Sequence, residues 1–172
     1  MGALREVVTE NDLAKRIAEV GARISREYPD GELVLVGMLK GSAVFLADLL
    51  RAIDRDVRFE MVNVTRQSAP RGEVIELAYA THIDLAGAHT LILKDICHSG
   101  VTENYLLTHL AQQDPASIAV AALVDRPLLR RVALTPRFVV VDEAPEGRLV
   151  GYGMEYQGKW GNLRTIHALE GV

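Results

Sequence analysis

Four short segments of this chain carry residues able to do chemistry. The first is Leu39-Lys40-Gly41-Ser42. A lysine supplies a point charge for an anion, and Gly41 lets the backbone approach a ligand closely. Ser42 can cap a following helix, whose N-terminus attracts negative charge. The second is Lys94-Asp95-Ile96-Cys97-His98-Ser99-Gly100-Val101-Thr102. Ser99, Gly100 and Thr102 offer hydroxyls and backbone amides of the kind that hold a phosphate. Asp95 can accept from sugar hydroxyls, and His98 can move a proton near neutral pH. The third is Asp125-Arg126-Pro127, where Arg126 can meet a carbonyl or an anion. The fourth is Leu149-Val150-Gly151-Tyr152-Gly153-Met154-Glu155-Tyr156. Its glycines admit a flat group, and Glu155 can accept from an amino group. Read singly, each segment also fits a plain junction: a capped helix, a surface histidine, an arginine before a proline, or an irregular stretch packed by aromatics. No GxxxxGK[ST] phosphate loop occurs.

Such segments need elements to hold them. Leu13, Ile17, Val20 and Ile24 recur at helical spacing, with Asn11 or Asp12 as the cap and Tyr28-Pro29-Asp30-Gly31 as the stop. Residues 33–38 form a continuous apolar run, the pattern of a strand buried on both faces. Residues 43–53 predict a helix and 57–64 a strand; 66–72 read as a loop and 74–81 as another strand. Leu91, Ile92 and Leu93 centre a buried strand over 88–94. A helix over 101–112 follows, with Val101, Tyr105, Leu106 and Leu110 inward. Strands are expected over 117–124, 137–141 and 149–152. This alternation predicts an α/β fold: a mainly parallel central sheet flanked by helices, in a single domain over 1–172. In such sheets ligands bind beyond the carboxyl ends of the strands, where the first three segments fall.

Composition narrows the partners. The chain has 172 residues, 49% hydrophobic and 24% charged, enough for one soluble domain with a sizeable core. A net charge of −4 argues against a nucleic-acid partner gripped by its phosphates. The single cysteine, Cys97, excludes an intrachain disulfide and a multi-cysteine zinc site. No apolar run nears the roughly 20 residues that span a bilayer, and residues 1–6 lack a signal-peptide core. A cytoplasmic protein with no membrane partner is expected.

Taken together, the segments closely resemble the hypoxanthine-guanine phosphoribosyltransferase family. The resemblance runs from about Glu10 to Leu169. It is carried by Leu35-Val36-Gly37-Met38-Leu39-Lys40-Gly41-Ser42, by residues 95–102, by residues 123–127, and by Val150-Gly151-Tyr152-Gly153-Met154-Glu155-Tyr156 with Asn162-Leu163. It implies a type I phosphoribosyltransferase fold with a small C-terminal hood region. It also implies transfer of phosphoribosyl from phosphoribosyl pyrophosphate to a 6-oxopurine (hypoxanthine or guanine), giving IMP or GMP in purine salvage, usually with Mg²⁺. Carried over by position, Leu39, Lys40, Gly41 and Ser42 resemble the pyrophosphate loop; in the family the peptide before that lysine is often cis. Lys94, Asp95, His98, Ser99, Gly100, Val101 and Thr102 fall on the ribose and 5′-phosphate site. Arg126, Arg148, Leu149, Val150 and Glu155 fall on the base site. Asp95 and Glu155 are the carboxylates toward the metal, and His98 with Asp95 the catalytic pair. Residues 66–72 would belong to a mobile lid. Family habit implies a homodimer or homotetramer.

The departures from the family pattern are specific. Two acidic residues usually end the central strand; here they are Lys94 and Asp95, so one acceptor becomes a donor. The aspartate near purine N7 is His98, and Ser99 replaces a threonine. The lid's Ser-Tyr pair is Val64-Thr65, and the stacking aromatic is Arg148, which can itself stack. Arg126 stands for a lysine, and Glu155 for an aspartate. The pyrophosphate arginine is Gly161, with Lys159 and Arg164 as neighbouring cations. Two functions follow. One is a purine phosphoribosyltransferase with an altered site. The other is a catalytically degenerate relative that binds a nucleotide or phosphate and acts as a regulatory protein.

Overall fold

A computed structural model describes residues 2–69, 72–79, 83–142 and 144–171. The chain runs β1 (Leu4–Val8), α1 (Glu10–Glu27), β2 (Leu33–Leu39), α2 (Ala43–Ala52), β3 (Arg58–Ala69), β4 (Gly72–Tyr79), β5 (His89–Cys97), α3 (Val101–Leu110), β6 (Ser117–Asp125), β7 (Phe138–Val141), β8 (Arg148–Val150) and β9 (Ile166–Leu169). Six strands form the main sheet in the order β4-β3-β2-β5-β6-β7. Only the β3–β4 pair is antiparallel; every other neighbour is parallel. The expected α/β class and parallel sheet are therefore found.

The sheet is central because its middle strands are apolar on both faces. Leu33 and Leu35 turn to the core under α1 and α2, with Phe45 and Leu49. Val34 and Val36 turn the other way, against Leu106 and Leu110 of α3. Alternating side-chain direction along one strand thus feeds two cores. β8, β9 and β1 make a second, antiparallel sheet, the hood. Its N-terminal strand is absent from the sequence reading, which expected the hood from C-terminal residues.

Other expectations need correcting. Thr9, not Asn11 or Asp12, is the N-cap of α1: its side-chain oxygen accepts from the Asp12 amide at 3.2 Å. The loop expected over 66–72 belongs instead to a hairpin, since β3 reaches Ala69 and β4 starts at Gly72; Pro70 and Arg71 lie outside the described residues. Long strand pairing overrides the local turn signal there. The strand expected over 74–81 ends at Tyr79, and Ala80 and Thr81 also lie outside the described residues. In α3, Tyr105 is exposed rather than inward, and Thr102 and Glu103 are buried in its first turn.

Helix α1 crosses α2 at a glycine. A Cβ on Gly21 would lie 2.5 Å from the Ala52 carbonyl oxygen. Backbone cannot yield as a flexible side chain does, so the helices must move apart to admit a methyl. Gly21→Ala is expected to destabilise the protein by about 1–3 kcal/mol. A thermal melt checks this, and an unchanged or raised melting temperature would contradict the close crossing.

Candidate active site

The site lies where the parallel strands β2, β5 and β6 all end. Each strand delivers one segment, and the hood supplies the fourth. The turn after β2 begins with a cis peptide between Leu39 and Lys40. Ser42 is buried, but its hydroxyl does not cap α2; it donates back to the Met38 carbonyl at 2.6 Å. Its role is to close the turn, which corrects the expected cap. Gly41 packs on the end of β5, where a Cβ would fall 1.9 Å from Asp95 Oδ2. Lys40 reaches the hood, and its Nζ donates to Glu155 Oε1 at 2.7 Å.

At the end of β5, Asp95 Oδ1 accepts from the Ile96 amide at 2.8 Å and forms an ion pair with Lys94 Nζ, also at 2.8 Å. Beyond it, Gly100 adopts φ +75° as the N-cap residue of α3. Gly100 has no side chain to cap this helix, and the Val101 amide donates to Ser99 Oγ at 3.4 Å instead. A Cβ on Gly100 would also crowd Arg130 and Val132 at 3.0 Å. A cleft of about 340 Å³ adjoins this turn, lined by Leu39, Val64, Lys94, His98, Ser99 and Thr102, among others.

His98 has its pKa pushed below the ordinary histidine value. Partial burial comes first, then the positive charges of Arg126 and Lys94; Asp95 pulls the other way. The imidazole is therefore neutral at neutral pH, poised to accept a proton.

Arg126, at the end of β6, points into the segment leading to β8. It donates to the Gly147 carbonyl at 2.7 Å and the Pro145 carbonyl at 2.8 Å. Its Nε is buried without a partner among the described residues. Arg148 stacks on Tyr156, with its guanidinium carbon 4.7 Å from the ring centroid. Leu149 and Val150 are buried in β8, paired with Ala168 and His167. Arg164 is drawn elsewhere: it pairs with Glu10 at 3.0 Å and lines a separate groove between α1 and α2. Gly161 has room, since a Cβ there would come no nearer than 3.6 Å to its neighbours.

Arg130 is a site residue that the sequence reading missed. It donates to the His98 carbonyl at 2.7 Å and Cys97 Sγ at 2.9 Å, and it pairs with Asp125. Backbone bonds run beside it, from the Arg131 amide to the Ser99 carbonyl and from the Arg126 amide to the Cys97 carbonyl. The loop after β6 is thus laced to the loop after β5. Its only sequence signal is an arginine pair shortly after Pro127. Burial pushes the Cys97 thiol up to about 11, so it stays a neutral thiol.

Known proteins share this fold. The phosphoribosyl transferase domain model matches residues 5–157. A hypoxanthine phosphoribosyltransferase of Haemophilus influenzae is 33% identical over 93% of this chain and 92% of its own. A Bacillus subtilis hypoxanthine-guanine phosphoribosyltransferase is 30% identical over 95% of this chain and 92% of its own. The chain belongs to the hypoxanthine-guanine phosphoribosyltransferase family. Among solved members of that family, a Bacillus anthracis hypoxanthine-guanine phosphoribosyltransferase superposes with TM-score 0.88 at 28% identity, covering 96% of this chain and 98% of its own. A variant of the Trypanosoma cruzi hypoxanthine phosphoribosyltransferase, complexed with its product IMP, reaches TM-score 0.90 at 31% identity, covering 99% and 91%.

In this family member, the Arg130 brace holds two of the four segments together. Both side chains of the Arg130–Asp125 pair are largely buried, at 12% and 13% exposure. Removing one partner leaves a charge uncompensated. Arg130→Ala is expected to cost about 3–5 kcal/mol of stability. In chemical denaturation, a loss below about 1 kcal/mol, the level of an exposed pair, would show that the brace does not hold.

Proposed function

We propose that this chain is a purine phosphoribosyltransferase that joins hypoxanthine or guanine to the ribosyl group of phosphoribosyl pyrophosphate. The convergence that carries the reading is at Asp95. The anion loop packs on it through Gly41, the phosphate cradle follows it, and Lys40 bridges from that loop to the hood. Leu39, Lys40, Gly41 and Ser42 hold the pyrophosphate. Ser99, Gly100, Val101 and Thr102 hold the 5′-phosphate on the amides of α3. Asp95 accepts from the ribose hydroxyls. The base lies against Leu149 and Val150, stacked on the Arg148 guanidinium. Arg126, whose guanidinium is held by the Gly147 and Pro145 carbonyls, supplies the cation toward the 6-oxo group.

The chemistry is a displacement at the anomeric carbon. Purine N9 forms a bond to C1′ as the bond from C1′ to the pyrophosphate oxygen breaks. Neutral His98 takes the proton that N7 gives up, and pyrophosphate leaves with the bonding electrons. Holding both partners in line supplies much of the rate.

Family resemblance adds Mg²⁺, with Asp95 and Glu155 toward it. The residues present do not fit a cation held by the protein. Asp95 Oδ1 already accepts from Ile96 and is ion-paired with Lys94, Oδ2 is pressed against Gly41, and Glu155 accepts from Lys40. Among the described residues, no three His, Cys, Asp or Glu side chains group as a metal site. A cytoplasmic location and a homodimer or homotetramer extend from the resemblance alone. No helix among the described residues is long and apolar enough to cross a membrane.

Incubation with phosphoribosyl pyrophosphate and each of hypoxanthine, guanine, xanthine and adenine tests the reading by chromatography of nucleotides. IMP or GMP is the expected product; folded protein that makes no nucleotide from any base would overturn it. The lowered pKa of His98 adds a pH signature. The proton acceptor is the neutral form, so kcat/KM should rise through a pKa below 6.5 and level off above it. His98→Ala should remove that limb and lower kcat about a hundredfold or more, with substrate binding largely intact. Unchanged turnover would take His98 out of the mechanism.

A further inference from the structure

The end of β5 carries a charge arrangement of its own. Neighbouring residues on a strand point to opposite faces, yet the long Lys94 side chain bends round to bring Nζ within 2.8 Å of Asp95 Oδ1. Both side chains are about three-quarters covered, at 25% and 23% exposure. This is therefore not a fully solvated surface pair, and its charges are poorly screened. A divalent cation at Asp95 would have to displace an ammonium already bonded there and then sit beside it. Glu155, the second carboxylate that the resemblance places toward a metal, is bonded to Lys40. The two acids that the resemblance places toward a metal, Asp95 and Glu155, are thus each matched by a lysine of this chain. Lys94 also lines the cleft with His98, Ser99 and Thr102, so its ammonium borders the space the substrate needs. An ammonium is a compact point charge with three rotatable donors, the side chain closest in character to a small bound cation.

We propose that Lys94 takes the place of the divalent cation. Its ammonium supplies the positive charge between the ribose hydroxyls and the pyrophosphate, so phosphoribosyl pyrophosphate binds without Mg²⁺. The inference rests on the transferase reading and deepens it. Lys94 donates where a metal would coordinate, and Asp95 orients it while keeping its role toward the sugar. The charge that meets the leaving group is then part of the chain and does not depend on metal supply.

Calorimetric titration with phosphoribosyl pyrophosphate, in excess chelator and again in excess Mg²⁺, tests this on the unmodified protein. The two dissociation constants should agree within about threefold. Lys94→Gln, which removes the charge and adds no ligand, should weaken binding in chelator by about tenfold or more. Lys94→Glu should bind in Mg²⁺ at least about tenfold more tightly than in chelator. Binding by the unmodified protein that disappears only in chelator would overturn the replacement and leave the transferase reading standing. Full affinity of Lys94→Gln in chelator would likewise overturn it. No binding in either buffer would overturn both.

Discussion

Between the turn after β2 and the end of β5 there is no room for a methyl group. Gly41 lies against Asp95 on one side, and on the other its carbonyl oxygen would sit 2.9 Å from a Cβ on Gly153 of the hood. One backbone position therefore sets the spacing of the anion loop, the sugar-facing carboxylate and the hood. Close packing transmits any displacement there to all three. The parallel sheet makes this contact possible, because it ends β2 and β5 side by side on one edge.

A second constraint acts on the other side of β5: it ties β5 to β6 instead of β2. Arg130 and two backbone hydrogen bonds bind the loop of the phosphate cradle to the loop that carries Arg126. Arg126 in turn holds the carbonyls of Pro145 and Gly147, just before β8. A chain of fixed contacts thus runs from cradle to base wall. Around it, cations gather near His98, and their field, with partial burial, keeps that imidazole neutral. Lys94 enters both effects: its charge helps to lower the His98 pKa, and its Nζ pairs with Asp95.

The sequence made the sheet and its ligand-bearing turns legible because their signals are local. The run 33–38 is apolar throughout, as a strand covered on both faces must be. Gly41, Asp95, His98 and Arg126 are legible because each follows such a run. The hood was legible only in part: β1 reads Leu-Arg-Glu-Val-Val and is mostly exposed, so its pattern is weak and its partner lies at the other end of the chain. Residues 66–72 misled because proline and glycine announce a turn, while the strands on either side extend right up to it. Ser42 misled for a different reason, since its hydroxyl chose the strand carbonyl behind it over the helix ahead. Arg130 was illegible because Cys97 and His98 lie more than thirty residues before it, and only folding brings them to the arginine and its neighbour Asp125.

The pairing of β1 with β9 also sets an order of events. Leu4 pairs with Leu169, and Leu149 and Val150 hang on the far side of the same strand β9. β1 is thus made early and has no hood partner until residues 166–169 exist. Contacts this distant in sequence are slow to form, because loop closure precedes their reward. All six strands of the main sheet lie within residues 33–141, so they exist before β8 and β9 complete the hood. During synthesis the turns at the ends of β2, β5 and β6 therefore exist before the hood that Lys40 reaches.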